Sequence, residues 1–570
     1  MDPKVGPAES LSALAKEYWE ERLVDDPLFA TLLGDRRFDD RLPDITPEGR
    51  SRREREYESV IDRCYAIPER DLSDEDRLTR TALLDDVRSA LDYSLCRLEE
   101  WTVDPLSGPQ VEFVNVESYQ PVRSPAEGRA MTKRWTAMGR YFDDHMANLR
   151  RGASEGRVVV RACVEKAVDE VHEMIAKPES EWAFLRPLAM PHDDWSEDER
   201  RDFRERLTGA VRDSVRPALV RYMEFLTSDI LPRARPQERP GIIHVPGGSE
   251  AYARLIRVHT SLDLTPEELH QTGLREVARV NAEIEVLGER VFGVQDRKEI
   301  LHRLRTDPSL HFACGDEVAE KAEAALSRAK AAIADWFGRV PKADCEVVRM
   351  GEHEERHSTI AYYRQPAADG SRPGRYCVNT SAPKTRPRYE AEALAYHESI
   401  PGHHLQIALA QELEGIPEFR RNSGVTAFVE GWGLYSERLA DEMRLYSSDL
   451  DRMGMLSYDA WRACRLVVDT GMHAMWWTRG EAIEFMLENT ALAENNIVNE
   501  VDRYITWPGQ ALAYKAGQLE MIRLRQEARG RLGERLDIKE FHDALLGDGA
   551  VPLKALREIV ERYMGKHQHG

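Results

Sequence analysis

The chain has 570 residues, 42% of them hydrophobic and 32% charged, with a formal net charge of −21 at pH 7. That length suits one large domain with an accessory part, or a few domains, and the acidic balance argues against nucleic acid or anionic membrane as the main partner. No run of about 18 apolar residues occurs, so no bilayer-spanning helix is expected.

The N-terminal segment MDPKVGPAESLSALAKEYWEERL has neither a basic n-region nor an apolar h-region, so no secretory signal is expected in it. Seven cysteines (Cys64, Cys96, Cys163, Cys314, Cys345, Cys377 and Cys464) are odd in number and never spaced Cys-x-x-Cys. They read as reduced, mostly buried thiols and point to a cytoplasmic protein. Residues 8–100 carry apolar side chains at helical spacing, as in Leu11, Leu14, Ala15 and Tyr18, which predicts several amphipathic helices. Long helices are expected over 125–149 and 157–175, and Ser196 is a good N-cap for another that runs to 227. The Pro- and Gly-containing stretch 232–241 then separates an N-terminal helical region, 1–231, from a second region, 232–570.

Thr265-Pro266-Glu267-Glu268 spells a helix start: Thr265 at the N-cap, Pro266 at N1 and Glu268 at N3 to close a capping box. From about 343 to 380 the character changes. Cys345-Glu-Val-Val348, Ala361-Tyr-Tyr363 and Arg375-Tyr-Cys-Val-Asn379 are β-type runs, enough for a small sheet. Helices resume at about 388, with 388–445 carrying the densest chemistry and C-terminal helices closing the fold. The expected class is mainly α, a large multi-helix fold with this small sheet just before the helix of interest.

That helix contains Tyr396-His397-Glu398-Ser399-Ile400-Pro401-Gly402-His403-His404-Leu405-Gln406. The zinc-hydrolase motif His-Glu-x-x-His sets two histidines on one helix face and uses the Glu to polarise bound water. Here the i+4 position is Pro401. On an unbroken helix His403 would point about 240° from His397, and His404 would lie about 10 Å along the axis. Pro401-Gly402 breaks that geometry, and a distorted turn would let one of the two take the missing place. A literal His-Glu-x-x-His at 353–357 has polar neighbours between two β-type runs and reads as a polar surface loop. Downstream, Val425-Thr-Ala-Phe-Val-Glu430-Gly-Trp-Gly-Leu-Tyr-Ser-Glu437 puts Glu430 after an apolar run, where a carboxylate needs a partner or a metal. Glu437 shares its face and suits a partner for a ligand histidine.

The motifs His-Glu-x-x-Pro-Gly-His-His-Leu-Gln and Phe-Val-Glu-Gly-Trp-Gly-Leu-Tyr-x-Glu resemble those of the bacterial DUF885 family. Further family-like stretches include Val468-Asp-Thr-Gly-Met-His473 and Trp507-Pro-Gly-Gln-Ala-Leu-Ala-Tyr-Lys-Ala-Gly517. That family is distantly similar to helical zinc oligopeptidases of the thimet and neurolysin type. The resemblance implies a metallopeptidase-like fold around a deep central cleft that takes short peptides. It implies one zinc held by His397, Glu430 and His403, with His404 the alternative to His403, and Glu398 as general base. Tyr514 and His473 are candidates for the oxyanion donor, and Tyr376, Asn379 and Lys515 for substrate binding. If 376–379 is an edge strand, it would hold an extended peptide by β-augmentation. The expected function is zinc-dependent hydrolysis of a peptide or small amide bond. The rivals are a non-haem iron oxygenase using the same two-His-one-carboxylate set and an inactive helical scaffold.

Overall fold

A computed structural model describes residues 6–351, 355, 359–367, 370 and 372–568; the literal motif at 353–357 therefore lies outside the described residues except for Glu355. The chain forms two compact units. The first comprises Met1–Asp71, Val87–Tyr252 and Trp476–Arg479, and the second Leu72–Asp86, Ala253–Met475 and Gly480–Gly570.

The first unit is helical. Its long helix Pro125–Ser154 starts from a Ser124–Glu127 capping box and buries Met131, Trp135, Met138 and Phe142 against Phe184, Leu219 and Tyr222. Helix Glu197–Ala210 starts at the predicted N-cap, Ser196. The unit does not end at 231. Arg235 bridges back to Val160, its N–H donating to the Val159 carbonyl at 2.7 Å and its carbonyl accepting from Arg161 at 2.8 Å. The Pro-rich stretch is thus a loop sewn into the first unit by backbone pairing, which composition alone does not reveal.

The second unit carries the sheet and the histidines. Its helix α1 (Pro266–Phe292) begins with the Thr265–Glu268 capping box expected from the sequence. Then follow α2 (Gly315–Ala332), β1 (Cys345–Arg349), β2 (Ala361–Arg364), β3 (Gly374–Val378), α3 (Ala391–Glu398), α4 (His403–Gln411), α5 (Thr426–Glu442), α6 (Asp449–Ala474), α7 (Glu494–Thr506) and α8 (Leu512–Leu532). The strand order is β1-β3-β2, with β1 parallel and β2 antiparallel to β3. β3 is therefore the central strand, with Tyr376 paired to Val347 on one side and Tyr363 on the other. The edge-strand role expected for 376–379 is overturned, because both of its edges are already hydrogen-bonded.

Candidate metal centre

The break at Pro401-Gly402 makes two helices. α3 ends at Glu398 and α4 begins at His403. Ser399 still donates back to Ala395 at 2.9 Å, and the His404 N–H reaches the Ser399 carbonyl at 3.0 Å across the turn. Trp432 and Ser436 of α5 hold the Pro401 carbonyl at 2.9 and 3.2 Å. Only glycine fits at 402, since a Cβ there would lie 1.9 Å from the His397 carbonyl oxygen and 2.4 Å from that of Tyr396. Gly433 does the same service from α5, where a Cβ would meet the His397 ring at 2.6 Å. The sequence spends two glycines to seat one imidazole.

The turn decides between the two candidate histidines. His404 is fully engaged, with Nδ1 3.0 Å from the Tyr363 hydroxyl and Nε2 3.1 Å from the Ala343 carbonyl. His403 instead faces His397, ring centroids 4.6 Å apart. One carboxylate oxygen of Glu430 lies 3.5 Å from His397 Nε2 and 3.7 Å from His403 Nε2. Those separations are too long for good hydrogen bonds. They are close to the roughly 3.3 Å edge of a tetrahedron whose corners lie about 2.0–2.1 Å from a shared ion. Glu398 borders the same pair: one ligand atom each from His397, Glu398 and His403 lie within 4.8 Å of one another. On its other nitrogen, His397 Nδ1 is 2.8 Å from Glu437 Oε1, the carboxylate–imidazole contact that orients a ligand ring. Glu430 and Glu437, two turns apart on α5, so bracket His397. His403 Nδ1 is buried without a hydrogen-bond partner. This donor set could hold one divalent ion.

Charge in the cluster follows the packing. Burial works against a charged His397, but Glu430 and Glu437 outweigh it and raise its pKa to about 9. Burial likewise opposes the Glu430 anion, yet His397 and His403 bring it down to about 2. Burial lifts Glu398 to about 7, against the pull of His397 and a hydrogen bond from the Tyr363 backbone, and lowers His403 to about 4. The two carboxylates that flank His397 favour its charged form.

The remaining candidates divide. The Tyr514 ring is half-buried, and its phenol is pushed up first by burial and then by Glu430, so it stands within electrostatic reach of the cluster. His473 is committed elsewhere, with Nε2 2.9 Å from the Tyr504 carbonyl. Lys515 is not a substrate contact: it is wholly buried, and its ammonium binds Asp459, Glu276 and Gln518. Asn379 is a loop staple, donating to the Glu355 and Thr359 carbonyls at 2.7 and 3.2 Å and accepting from Ser381. Tyr376 is buried in the central strand, its phenol raised well above its ordinary value by burial and then by Glu398. Tyr363, whose backbone supports Glu398 and whose hydroxyl occupies His404, was not singled out from the sequence as a site residue. The β-type run Ala361-Tyr-Tyr-Arg364 gives no hint of that role.

Residues 27–560 match the model of a family described as bacterial protein of unknown function, DUF885. The chain belongs to that family. Two solved structures, each described as a "putative lipoprotein", share its fold. The crystal structure from Colwellia psychrerythraea is 26% identical with a TM-score of 0.91, covering 99% of this chain and 100% of its own. The structure from Shewanella oneidensis, described also as of unknown function, is 18% identical with a TM-score of 0.75, covering 98% and 100%. No curated protein matches. The description of these relatives as lipoproteins overturns the cytoplasmic placement inferred from the cysteines. Six of the seven cysteines are buried and Cys314 is exposed, and cysteine burial does not by itself fix a compartment. No helix among the described residues is long and apolar enough to cross a membrane.

Proposed function

We propose that this protein is a zinc-dependent hydrolase of peptide or other small amide bonds. The observation that carries this is the approach of two imidazole Nε2 atoms to one Glu430 oxygen at 3.5 and 3.7 Å, with Glu398 beside both rings. His397, His403 and Glu430 would hold the ion, and Glu437 keeps the His397 ring turned toward it. Zinc bound there supplies a Lewis acid and a water acidified toward neutral pH. Glu398 takes the proton of the attacking water on its carboxylate and returns it to the leaving amine nitrogen. Tyr514, kept protonated by its buried surroundings, donates its phenol hydrogen to the developing oxyanion. A metallopeptidase-like arrangement with a cleft for short peptides, akin to the thimet and neurolysin type, belongs to the same proposal. A carboxylate beside the ligand pair favours hydrolysis over oxygen activation, since hydrolysis needs a base at that place.

The test is metal content and turnover, on a mixture of short N-acetylated peptides, for the wild type and Glu398→Gln. Both should retain zinc, and the variant should lose about 10²–10⁴-fold in rate. Full activity in Glu398→Gln, or iron with oxygen-dependent turnover in the wild type, overturns the proposal.

A further inference from the structure

Two arginines on α6, Arg462 and Arg465, are buried at 5% and 3% exposure, yet neither is fully partnered. Arg465 donates from Nε to the Tyr504 hydroxyl and from Nη2 to Glu500, each at 3.0 Å, while its Nη1 has no partner. Arg462 approaches Glu437 only at 3.8 Å through Nη2, and its Nε and Nη1 have none. A guanidinium carries five donors in a fixed plane, and buried donors without acceptors are rare in folded proteins.

Both planes are held by rings. Arg462 lies 4.5 Å from the Tyr458 ring and 4.4 Å from that of Trp461, and Arg465 4.4 Å from Trp461 and 4.3 Å from Tyr514. Stacking of this kind orients the fork in advance of any ligand. The ladder ends at Tyr514, and at its other end Arg462 Nη2 lies 3.8 Å from Glu437 Oε1, the atom that contacts the His397 ring. Trp461 and Tyr514 remain half-buried while the arginines beneath them are covered. The charge is also unbalanced: Glu500 is shared between Arg465 and Arg503, the latter at 2.8 Å, and Glu437 is already committed to His397.

We propose that the unpartnered N–H groups of Arg465 and Arg462 form a subsite beside the metal cluster that receives the free carboxylate of the substrate. This rests on the hydrolase reading and narrows it. The preferred substrate is a short peptide or amide acid whose terminal carboxylate lies near the scissile bond, and a blocked or internal peptide is disfavoured.

The experiment uses matched mixtures of N-acetyl tripeptides, one as free acids and one as C-terminal amides. Wild-type hydrolysis should favour acids by about 10–100-fold, the worth of one charge-assisted contact, and the preference should collapse toward unity in Arg465→Gln through KM. Arg465→Lys keeps a charge against Glu500 but not the planar fork. It serves where the glutamine variant melts early, and should lose most of the preference too. Binding of both mixtures to zinc-loaded Glu398→Gln by equilibrium dialysis reads the subsite without turnover. If the wild type cuts neither mixture, the hydrolase reading fails, while acid-selective retention that is lost with Arg465 still supports the subsite. Equal retention of acids and amides, or a preference unchanged in both Arg465 variants, overturns it.

Discussion

Two buried polar clusters flank α6 in the second unit, and they are built on opposite terms. Around Asp459, each charge has its complement. Lys515, Arg438 and Arg279 converge on that carboxylate, Glu276 and Glu283 answer the surplus cations, and Gln518 takes a further ammonium proton. Burial works to raise the pKa of Asp459, and the three cations overcome it and hold it well below the usual carboxylate range. Around His397 the accounts stay open, with His403 Nδ1, Glu437 Oε2 and several guanidinium N–H groups buried without partners. A satisfied network rigidifies a core, whereas an under-satisfied one is tolerated where something else is to be bound. The contrast separates a satisfied cluster from an under-satisfied one within the same helices.

The sharpest way to break this contrast is Asp459→Ala. Leaving Lys515 and Arg438 buried without their anion should cost about 3–5 kcal/mol, read as a fall in melting temperature, with zinc still bound by whatever folded protein remains. If instead zinc is lost while the melting temperature holds, the two clusters have been assigned the wrong way round. Next, chelation of the zinc-loaded wild type should lower stability by about 4 kcal/mol when free metal stands near a thousand times its Kd, measured by calorimetry. An unchanged melting curve counts against a bound metal.

Glu390, at the start of the segment leading into α3, gives a pH test. Burial raises its carboxyl to about 7, and Glu437 adds to that, against the Ser457 hydrogen bond and Arg462. The folded state therefore holds this proton more tightly than the unfolded chain. Its contribution is fully favourable below about pH 4.5 and is lost as pH rises to about 7. Glu390→Gln should match the wild type at pH 4 and exceed it by roughly 1–3 kcal/mol at pH 8 in denaturant titration. A variant equally stable, or less so, at pH 8 contradicts the buried, protonated carboxyl. The smallest effect is expected of His403→Ala on the metal-free protein. The cavity it leaves is partly offset by removing an unpartnered buried nitrogen, so stability should shift by only about 1 kcal/mol, while zinc uptake is abolished. His404→Ala should do the reverse, because it strips partners from Tyr363 and Ala343.

Much of the local architecture was legible in the residues. Capping boxes at Ser196 and Thr265 act through neighbours three residues away, so their spelling suffices. The three β-type runs became strands, but which lay in the middle could not be read, because pairing order depends on contacts between residues distant in the chain, such as Cys345 and Gly374. Tyr514 was read as an oxyanion donor and its neighbour Lys515 as a substrate contact, yet adjacent residues on a helix point about 100° apart. Lys515 faces the Asp459 network and Tyr514 stacks on Arg465. Charged residues recurring through the apolar stretch of α6, Asp459, Arg462, Arg465 and Asp469, were a readable sign that this helix buries polar work on more than one face.

The sequence by itself determined family membership and the mainly helical class, and it singled out His397, Glu398 and Glu430 as one candidate cluster. Only the tertiary structure decided that His403 joins them and His404 does not. The reason is steric and local to the fold. Gly402 and Gly433 let the Pro401 turn and α5 close onto the His397 ring, and the sheet, through Tyr363 and the loop before β1, takes His404 away.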